Sequence, residues 1–201
     1  MMNPQQVIDY WLGESQSDPD SFKERSRLWY GHDPMVDEEI RQRFGDLLNR
    51  AEQGDLDHWR ETADGSLALV ILLDQFSRNL YRRTADAFRN DTRALTFAKY
   101  ALDQKFEHDL SWIGRAFLYH PFHHAESMVD QDRAVALFEA LYEEAPAEWK
   151  KHLAGFLEYA KEHRDIVRRF GRFPHRNHIL GRKMTPEEEQ FLNEDARTYG
   201  Q

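Results

Sequence analysis

Apolar residues recur three and four positions apart along almost the whole chain, and no segment shows the strict alternation of a β-strand. This pattern predicts an all-α protein built from antiparallel helical hairpins. The first helix should follow Asn3, a good N-cap residue, with Pro4 at its first position, and should end at Gly13. A polar loop is expected from there to about Tyr30.

The most apolar segment, residues 67–76, is expected to be the most deeply buried helix. Its apolar side chains run nearly all the way round, which is typical of a helix surrounded by others. Asp64 marks its expected start, and a capping box formed by Thr185 and Glu188 should start the last helix of the chain. No linker rich in Gly, Ser or Pro is visible, so we interpret residues 1–201 as one helical domain. The other helices are expected at residues 34–53, 56–59, 85–104, 111–119, 126–143, 147–170 and 186–195.

Charge and composition narrow the function classes. The 201 residues carry 27 Lys and Arg against 36 Asp and Glu, and the net charge of −9 argues against affinity for nucleic acid or anionic membranes. There is no cysteine, which excludes disulfides, thiolate catalysis and cysteine-ligated metals. No secretory signal is visible, and the longest apolar run is too short to span a bilayer. These features are typical of a soluble cytoplasmic protein.

Residues 161–183, which we call the arginine-rich segment, reverse the acidic balance of the chain. They hold eight cations against two acids, interleaved with Phe, Gly and Pro. Apolar residues can anchor such a segment while Gly and Pro fix its path, so the guanidinium groups of Arg169, Arg172 and Arg176 could form an anion pocket with His175 and Asn177. The alternative is that these arginines neutralise acids elsewhere in the protein in a structural ion network.

A second polar cluster follows the most apolar helix. Asp74, Gln75, Arg78 and Asn79 come directly after buried positions, so they need polar partners. One interpretation is that they line a polar cavity at the centre of the protein. The alternative is that Arg78 and Asn79 cap the free carbonyl groups at the end of that helix.

A third cluster contains His120, His124 and Glu126. Pro121 is expected to end a helix, which would leave the histidines in the turn before the next one. A zinc site needs three or four ligands at a recognised spacing, and that spacing is absent, so neither a metal nor a cofactor is predicted. The alternative is a hydrogen-bonded network in which Glu126 pairs with an arginine. His163 falls on the buried stripe of the helix at residues 147–170.

These three clusters resemble those of a bacterial family known as domain of unknown function 924. The matching stretches are residues 72–79, 121–126 and 169–177, and the resemblance extends from Val7 to about Leu192. It implies an all-helical fold of the tetratricopeptide-like α-α superhelix type, and it brings no established activity. The chain departs from the usual pattern at Ser77, where Pro is typical, and at Ala125, where Ser is typical, which argues against serine chemistry.

The leading hypothesis is a protein that binds a small anionic molecule or an acidic peptide terminus in a central pocket, at which the three clusters converge. A hydrolase is the main alternative, with His124 or His175 as general base and arginines stabilising an oxyanion. A third is a helical-repeat scaffold for protein interactions. The predicted pocket residues are Arg78, Asn79, His124, Glu126, Arg172, His175, Arg176 and Asn177.

Overall fold

A computed structural model describes residues 3–194 of the chain, and it contains α-helices, short 3₁₀ turns and one π-helical stretch. No β-strand occurs within this range, so the all-α prediction is confirmed. A π-helical segment, Ile71–Phe76, joins α4 (Ala63–Val70) to α5 (Ser77–Leu80). The α-helices are α1 (Pro4–Trp11), α2 (Phe22–Tyr30), α3 (Pro34–Gln53), α4 (Ala63–Val70), α5 (Ser77–Leu80), α6 (Asp91–Asp103), α7 (Trp112–His124), α8 (Met128–Glu144), α9 (Ala147–Phe170) and α10 (Pro186–Glu194).

Most helix ends follow the local signals in the sequence. The Asn3 side chain accepts a hydrogen bond from the backbone of Gln6, and Pro4 opens α1. Gly171 ends α9 in the left-handed conformation with φ of 71°, which a residue without Cβ adopts at little cost. Thr185 and Glu188 form the predicted capping box at α10. The predicted end of that helix, Asp195, lies outside the described residues.

The prediction of a polar loop up to Tyr30 was wrong, because the second half of that stretch forms α2. Phe22 and Trp29 lie seven positions apart, two turns along one helix face, and both pack against the protein body. The indole Nε1 of Trp29 donates to the backbone carbonyl of Trp11 over 2.8 Å. The other residues of α2 are mostly charged, which hid this narrow apolar stripe from sequence reasoning.

Pro121 does not end a helix, contrary to the prediction. It lies inside α7, which continues to His124, so the histidines belong to a helix and not to a turn. Proline removes one backbone hydrogen bond and costs about 3 kcal/mol in a helix interior. Here every residue from Ile113 to His123 is buried, and this packing offsets that cost. The predicted helix over residues 85–104 is also divided, into a 3₁₀ turn and α6.

The α4–π–α5 stretch lies at the centre of the fold, and all its residues from Gly65 to Ser77 are buried, as predicted. It begins at Ala63, one residue before the expected Asp64, because Thr62 caps it with its hydroxyl. A Cβ on Gly65 would lie 1.9 Å from the carbonyl oxygen of Trp59, so only glycine fits there. Helices α1, α6 and α7 pack around α4.

Consecutive helices at the C-terminal half pack as hairpins, with α8 against both α7 and α9. A small second apolar cluster of Ile166, Val167 and Phe173 joins the end of α9 to the residues that follow it. The finer prediction of a tetratricopeptide-like superhelix, and that of a single domain, stay predictions. In the part of the chain that the structure describes, no helix is both long and apolar enough to cross a bilayer.

Candidate ligand-binding site

A cavity of about 570 Å³ lies between α2, the α4–π–α5 stretch, α7, α9 and the 3₁₀ turn Pro174–Arg176. This volume is within the range of about 300–1,000 Å³ that is typical of small-molecule sites. None of the described residues that line it is an acid. Its walls combine cations, histidines and aromatic rings, and the cations are Arg78, Arg82, Lys151 and Arg176.

An ion-pair cluster forms the deepest wall. Arg78 donates to both carboxylate oxygens of Asp91, over 2.9 and 3.1 Å, and contacts Asp74 over 3.2 Å. Arg176 reaches the same Asp91 from the other side over 3.3 Å. The Arg78 side chain is 12% exposed and that of Asp74 is fully buried. The two acids therefore lie behind the guanidinium groups and hold them at the cavity wall.

Arg176 has less compensation for its charge than Arg78 has. Its guanidinium lies over the rings of Phe88 and Phe173, 4.6 and 4.5 Å from their centroids. Its Nε is buried and has no hydrogen-bond partner among residues 3–194. Burial lowers the pKa of Arg176 to about 10, and the charge of Arg78 adds to this effect against the attraction of Asp91. A further anion at this wall would stabilise the charged guanidinium.

His124 and Asp74 form a dyad at the same wall. The Nδ1 of His124 lies 2.7 Å from a carboxylate oxygen of Asp74, whose other oxygen accepts from Gln75 over 2.5 Å. Burial lowers the pKa of His124 well below its usual value, and Arg78 adds to the shift. The imidazole is therefore neutral at pH 7, with the Nδ1 proton donated to Asp74. Its Nε2 is left unprotonated, as a hydrogen-bond acceptor.

Four more histidines lie close to this dyad, and burial lowers the pKa of each of them. The pKa falls to about 3 for His163 and His175. His120 and His163 each direct Nδ1 to a carbonyl oxygen one turn earlier, over 2.7 and 2.8 Å, so these nitrogens are donors. The ring of His123 stacks on that of His163 at 5.0 Å. Within residues 3–194 no three His, Asp or Glu side chains are arranged to hold a metal ion.

Asn79 and Arg82 form another part of the wall. Asn79 donates to the carboxylate of Asp37 over 2.8 Å, and Arg82 donates to the same carboxylate over 2.9 and 3.0 Å. Against the effect of burial, these hydrogen bonds lower the pKa of Asp37. The predicted cavity residues Arg78, Asn79, His124, His175 and Arg176 therefore line one common cavity.

The other three predicted residues do not line this cavity, so the three clusters converge only in part. Arg172 pairs with the buried Glu188 over 2.7 and 2.9 Å and lowers its pKa to about 2. Glu126 accepts two hydrogen bonds from Arg182, at 2.6 and 2.9 Å, and Arg182 also donates to Asn177. These pairs fasten the residues after α9 to α10 and to the start of α8. For Arg172 and Arg182, the alternative of a structural ion network therefore describes the contacts that are observed.

The serine side chains near the clusters serve local structure. Ser111 and Ser127 are the N-caps of α7 and α8, and each accepts from a backbone N–H of the first turn. Ser77 is buried and accepts a hydrogen bond from Asn90 over 2.7 Å. None of these three serines lines the cavity.

Sequence reasoning missed the aromatic wall and one acid. Phe22 and Trp29 were assigned to a loop, although their spacing of seven could have indicated a helix face. Phe156 lies in the predicted helix at residues 147–170 and was not singled out as a cavity residue. Nothing in the sequence marks Asp91 as a cavity-wall residue, because an acid in the first turn of a helix is common. Arg82 was likewise not singled out.

The fold and this cavity together define an all-α protein with a histidine-rich cavity. A family described as bacterial protein of unknown function (DUF924) matches residues 7–196, and the chain belongs to this family. It is also similar to the solved structure of a protein of unknown function, ATU0120, from Agrobacterium tumefaciens. The two are 40% identical, with a TM-score of 0.79 over 95% of this chain and 97% of that one. No curated protein matches the chain.

Proposed function

We propose that this protein binds a small anionic molecule in the cavity beside Arg78 and Arg176. The observation that carries the proposal is Arg176, a cavity-lining residue that is 6% exposed and whose Nε is buried with no hydrogen-bond partner in the described chain. A buried cation without full compensation is costly, and a bound carboxylate or phosphate oxygen on the cavity side of the guanidinium would add compensating charge. Asn79 and the neutral histidines offer further hydrogen bonds at the same wall.

The shape of the site supports a small ligand over a protein partner. The cavity of about 570 Å³ has the volume of a metabolite site, and its guanidinium wall is nearly closed to solvent, since the Arg78 and Arg176 side chains are 12% and 8% exposed. Where the lining residue Tyr30 is 52% exposed, the cavity opens to solvent, and an acidic peptide could enter there by its terminus. A location in the cytoplasm, which was predicted from the sequence, remains part of this proposal.

Thermal unfolding in the presence of benzoate, citrate, inorganic phosphate and an Asp-Glu dipeptide tests the proposal. We expect at least one of them to raise Tm saturably, because a ligand that binds only the native state stabilises it. The Arg176→Gln variant should bind that ligand about 10- to 100-fold more weakly, as expected for a hydrogen bond to a charged group worth about 1.5–3 kcal/mol.

Arg169→Gln is the matched control for Arg176→Gln. Arg169 also lies over two aromatic rings and pairs with an acid, Glu187, but its side chain is 48% exposed and it does not line the cavity. This variant should bind as the wild type does. The proposal is wrong if none of the four probes shifts Tm, or if Arg176→Gln keeps the full shift.

A second candidate function is a hydrolase in which His124 acts as general base. The specific observation is the 2.7 Å contact with the fully buried Asp74, which fixes the tautomer and leaves an unprotonated Nε2 that could accept a proton. Arg78 and Arg176 could then stabilise a developing oxyanion. Hydrolysis of p-nitrophenyl acetate should be lost in His124→Gln and retained in His108→Gln, an exposed histidine. An unchanged rate in His124→Gln would exclude this role.

A further inference from the structure

The two ends of the cavity differ in chemistry. At one end lie the guanidinium groups of Arg78 and Arg176, with Asp91 behind them. At the other lie the rings of Phe22, Trp29 and Phe156, together with Tyr30 and Tyr159. Lys151 also lines the cavity beside His152, but its charge is paired with Asp20 over 3.5 Å. A ligand that fills the cavity must therefore offer a polar group to one end and an apolar surface to the other.

The aromatic end is built from rings that pack on each other. The ring of Phe22 lies edge-on to Trp29 and to Phe156, at centroid distances of 5.3 and 5.9 Å, and stacks on His152 at 4.2 Å. The polar atom of Trp29 is already used in its bond to Trp11. This end therefore presents ring faces and edges, which favour a flat apolar group.

Neutral imidazoles connect the two ends. His120 lies 5.5 Å from Phe156 and 5.7 Å from His124, between ring centroids, and His124 contacts Asp74 beside Arg78. Two ring-to-ring contacts thus separate the aromatic end from the guanidinium end. One small molecule can reach both, and its middle would then lie beside His124.

The charges at the guanidinium end decide which anion fits. Arg78 pairs with the fully buried Asp74 and with Asp91, which is 18% exposed and also pairs with Arg176, so this end is close to neutral overall. Arg82, nearby, is paired with Asp37. The wall therefore offers hydrogen-bond donors with little excess positive charge. One added negative charge is easier to accommodate than the two of a phosphate monoester at neutral pH.

We propose that the ligand is a monocarboxylic acid that carries an aromatic or similarly flat apolar group. Its carboxylate would contact Arg78 and Arg176, and its apolar group would lie against Phe22, Trp29 and Phe156. This inference rests on the proposed anion-binding function and specifies the class of ligand.

Calorimetric titration with four probes tests the inference: 3-phenylpropionate, acetate, 3-phenylpropan-1-ol and phenyl phosphate. We expect 3-phenylpropionate to bind at least tenfold more tightly than each of the others. Acetate lacks the apolar group, the alcohol lacks the charge, and phenyl phosphate carries a second charge. Equal affinity for acetate or for phenyl phosphate would overturn the inference and leave anion binding intact. Equal affinity for the alcohol, or no binding by any probe, would overturn anion binding as well.

Two variants separate the ends of the cavity. Phe22→Leu should weaken 3-phenylpropionate at least fivefold while leaving acetate unchanged, whereas Arg176→Gln should weaken both acids. Phe191→Leu is the matched control, because Phe191 is also partly buried but packs in the small cluster beside α9, and it should bind as the wild type does. Thermal unfolding shows whether each variant is folded. Loss of acetate binding in Phe22→Leu, or unchanged 3-phenylpropionate binding, would contradict the proposed orientation.

Discussion

Arg169 and Arg176 lie seven residues apart in the arginine-rich segment and have similar immediate neighbours. Each guanidinium lies over two aromatic rings, at 4.7 and 5.8 Å for Arg169 and at 4.5 and 4.6 Å for Arg176. Each also contacts a carboxylate, Glu187 or Asp91. Their exposure differs: the Arg169 side chain is 48% exposed and that of Arg176 is 8% exposed.

This difference shows that burial, and not the neighbouring rings and acid, decides whether solvent can compensate the charge of an arginine. The Arg169 side chain is open to solvent, so its surface ion pair contributes only about 0–1 kcal/mol. Arg176 has no such source of acceptors, and burial lowers its pKa to about 10. The arginine-rich segment thus divides into an outer group that fastens α10 and an inner group that lines the cavity. Three predictions test this division.

The largest expected effect is the loss of stability on acidification. We expect the buried histidines around the cavity to cause the first part of this loss. Five histidines there, His120, His123, His124, His163 and His175, have folded-state pKa values below their usual value because of burial. Below about pH 6.5 these histidines bind protons in the unfolded chain but stay neutral in the folded protein. Stability is therefore full above that pH and is lost as pH falls, by up to about 1.4 kcal/mol per pH unit for each histidine.

Urea unfolding at pH 8, 6 and 5 measures this effect. The free energy of unfolding should already fall between pH 6.5 and 5, above the unfolded-state pKa of about 4.3 at which Glu188 of the outer group begins to affect stability. His123→Phe, which removes one buried imidazole, should make the fall shallower, whereas replacing the exposed His108 by Gln should not. A free energy of unfolding that stays constant from pH 8 to 5 would contradict the neutral histidine cluster.

The next largest effect is expected from Arg78→Gln. The substitution leaves Asp74 and Asp91 without their main cation, and breaking a buried ion pair costs about 3–5 kcal/mol. Arg169→Gln, in the outer group, should change the free energy of unfolding by no more than about 1 kcal/mol. Denaturant melts at pH 7.5 compare the two variants. Equal destabilisation by both would mean that the inner and outer arginines are not distinct.

The smallest effect is expected from Arg172→Gln on ligand affinity. Arg172 pairs with Glu188 away from the cavity, so affinity for 3-phenylpropionate should stay within twofold of wild type. Its loss should instead raise the pKa of Glu188 from about 2. The stability that this ionised Glu188 contributes is present above its unfolded pKa of about 4.3 and is lost below it. Arg172→Gln should therefore flatten the pH dependence below pH 4.5, and a marked loss of affinity would place Arg172 at the site.

The sequence predicted helices better than it predicted partners. Helix α9 matches its expected bounds because a broad apolar stripe and Gly171 define both its length and its end. Arg172 was assigned to the pocket because nothing local distinguishes it from Arg176. The partner of each is set by chain folding: Glu188 lies 16 residues from Arg172, and Asp91 lies 85 residues from Arg176. Local pattern carries no information on pairing at such a separation.

The aromatic end of the cavity was missed for a related reason. A helix with one narrow apolar stripe and many charges, such as α2, has little periodic signal, and its stability comes from packing. At Pro121 the local signal was strong and predicted a helix end, but α7 continues past it because the helix is buried along its length. In both places tertiary contacts decided the local conformation.

The π-helical segment sets the angle at which Arg78 enters the site. The N–H of Ser77 donates to the carbonyl of Leu72, five residues earlier, so this turn holds one residue more than an α-helical turn. Regular α-helical winding through the same residues would rotate everything downstream by about 100° around the axis. Arg78 and Asn79 would then point away from the cavity while Leu69 and its neighbours kept their places. One widened turn thus lets a helix that is buried on all sides deliver charged side chains to the cavity.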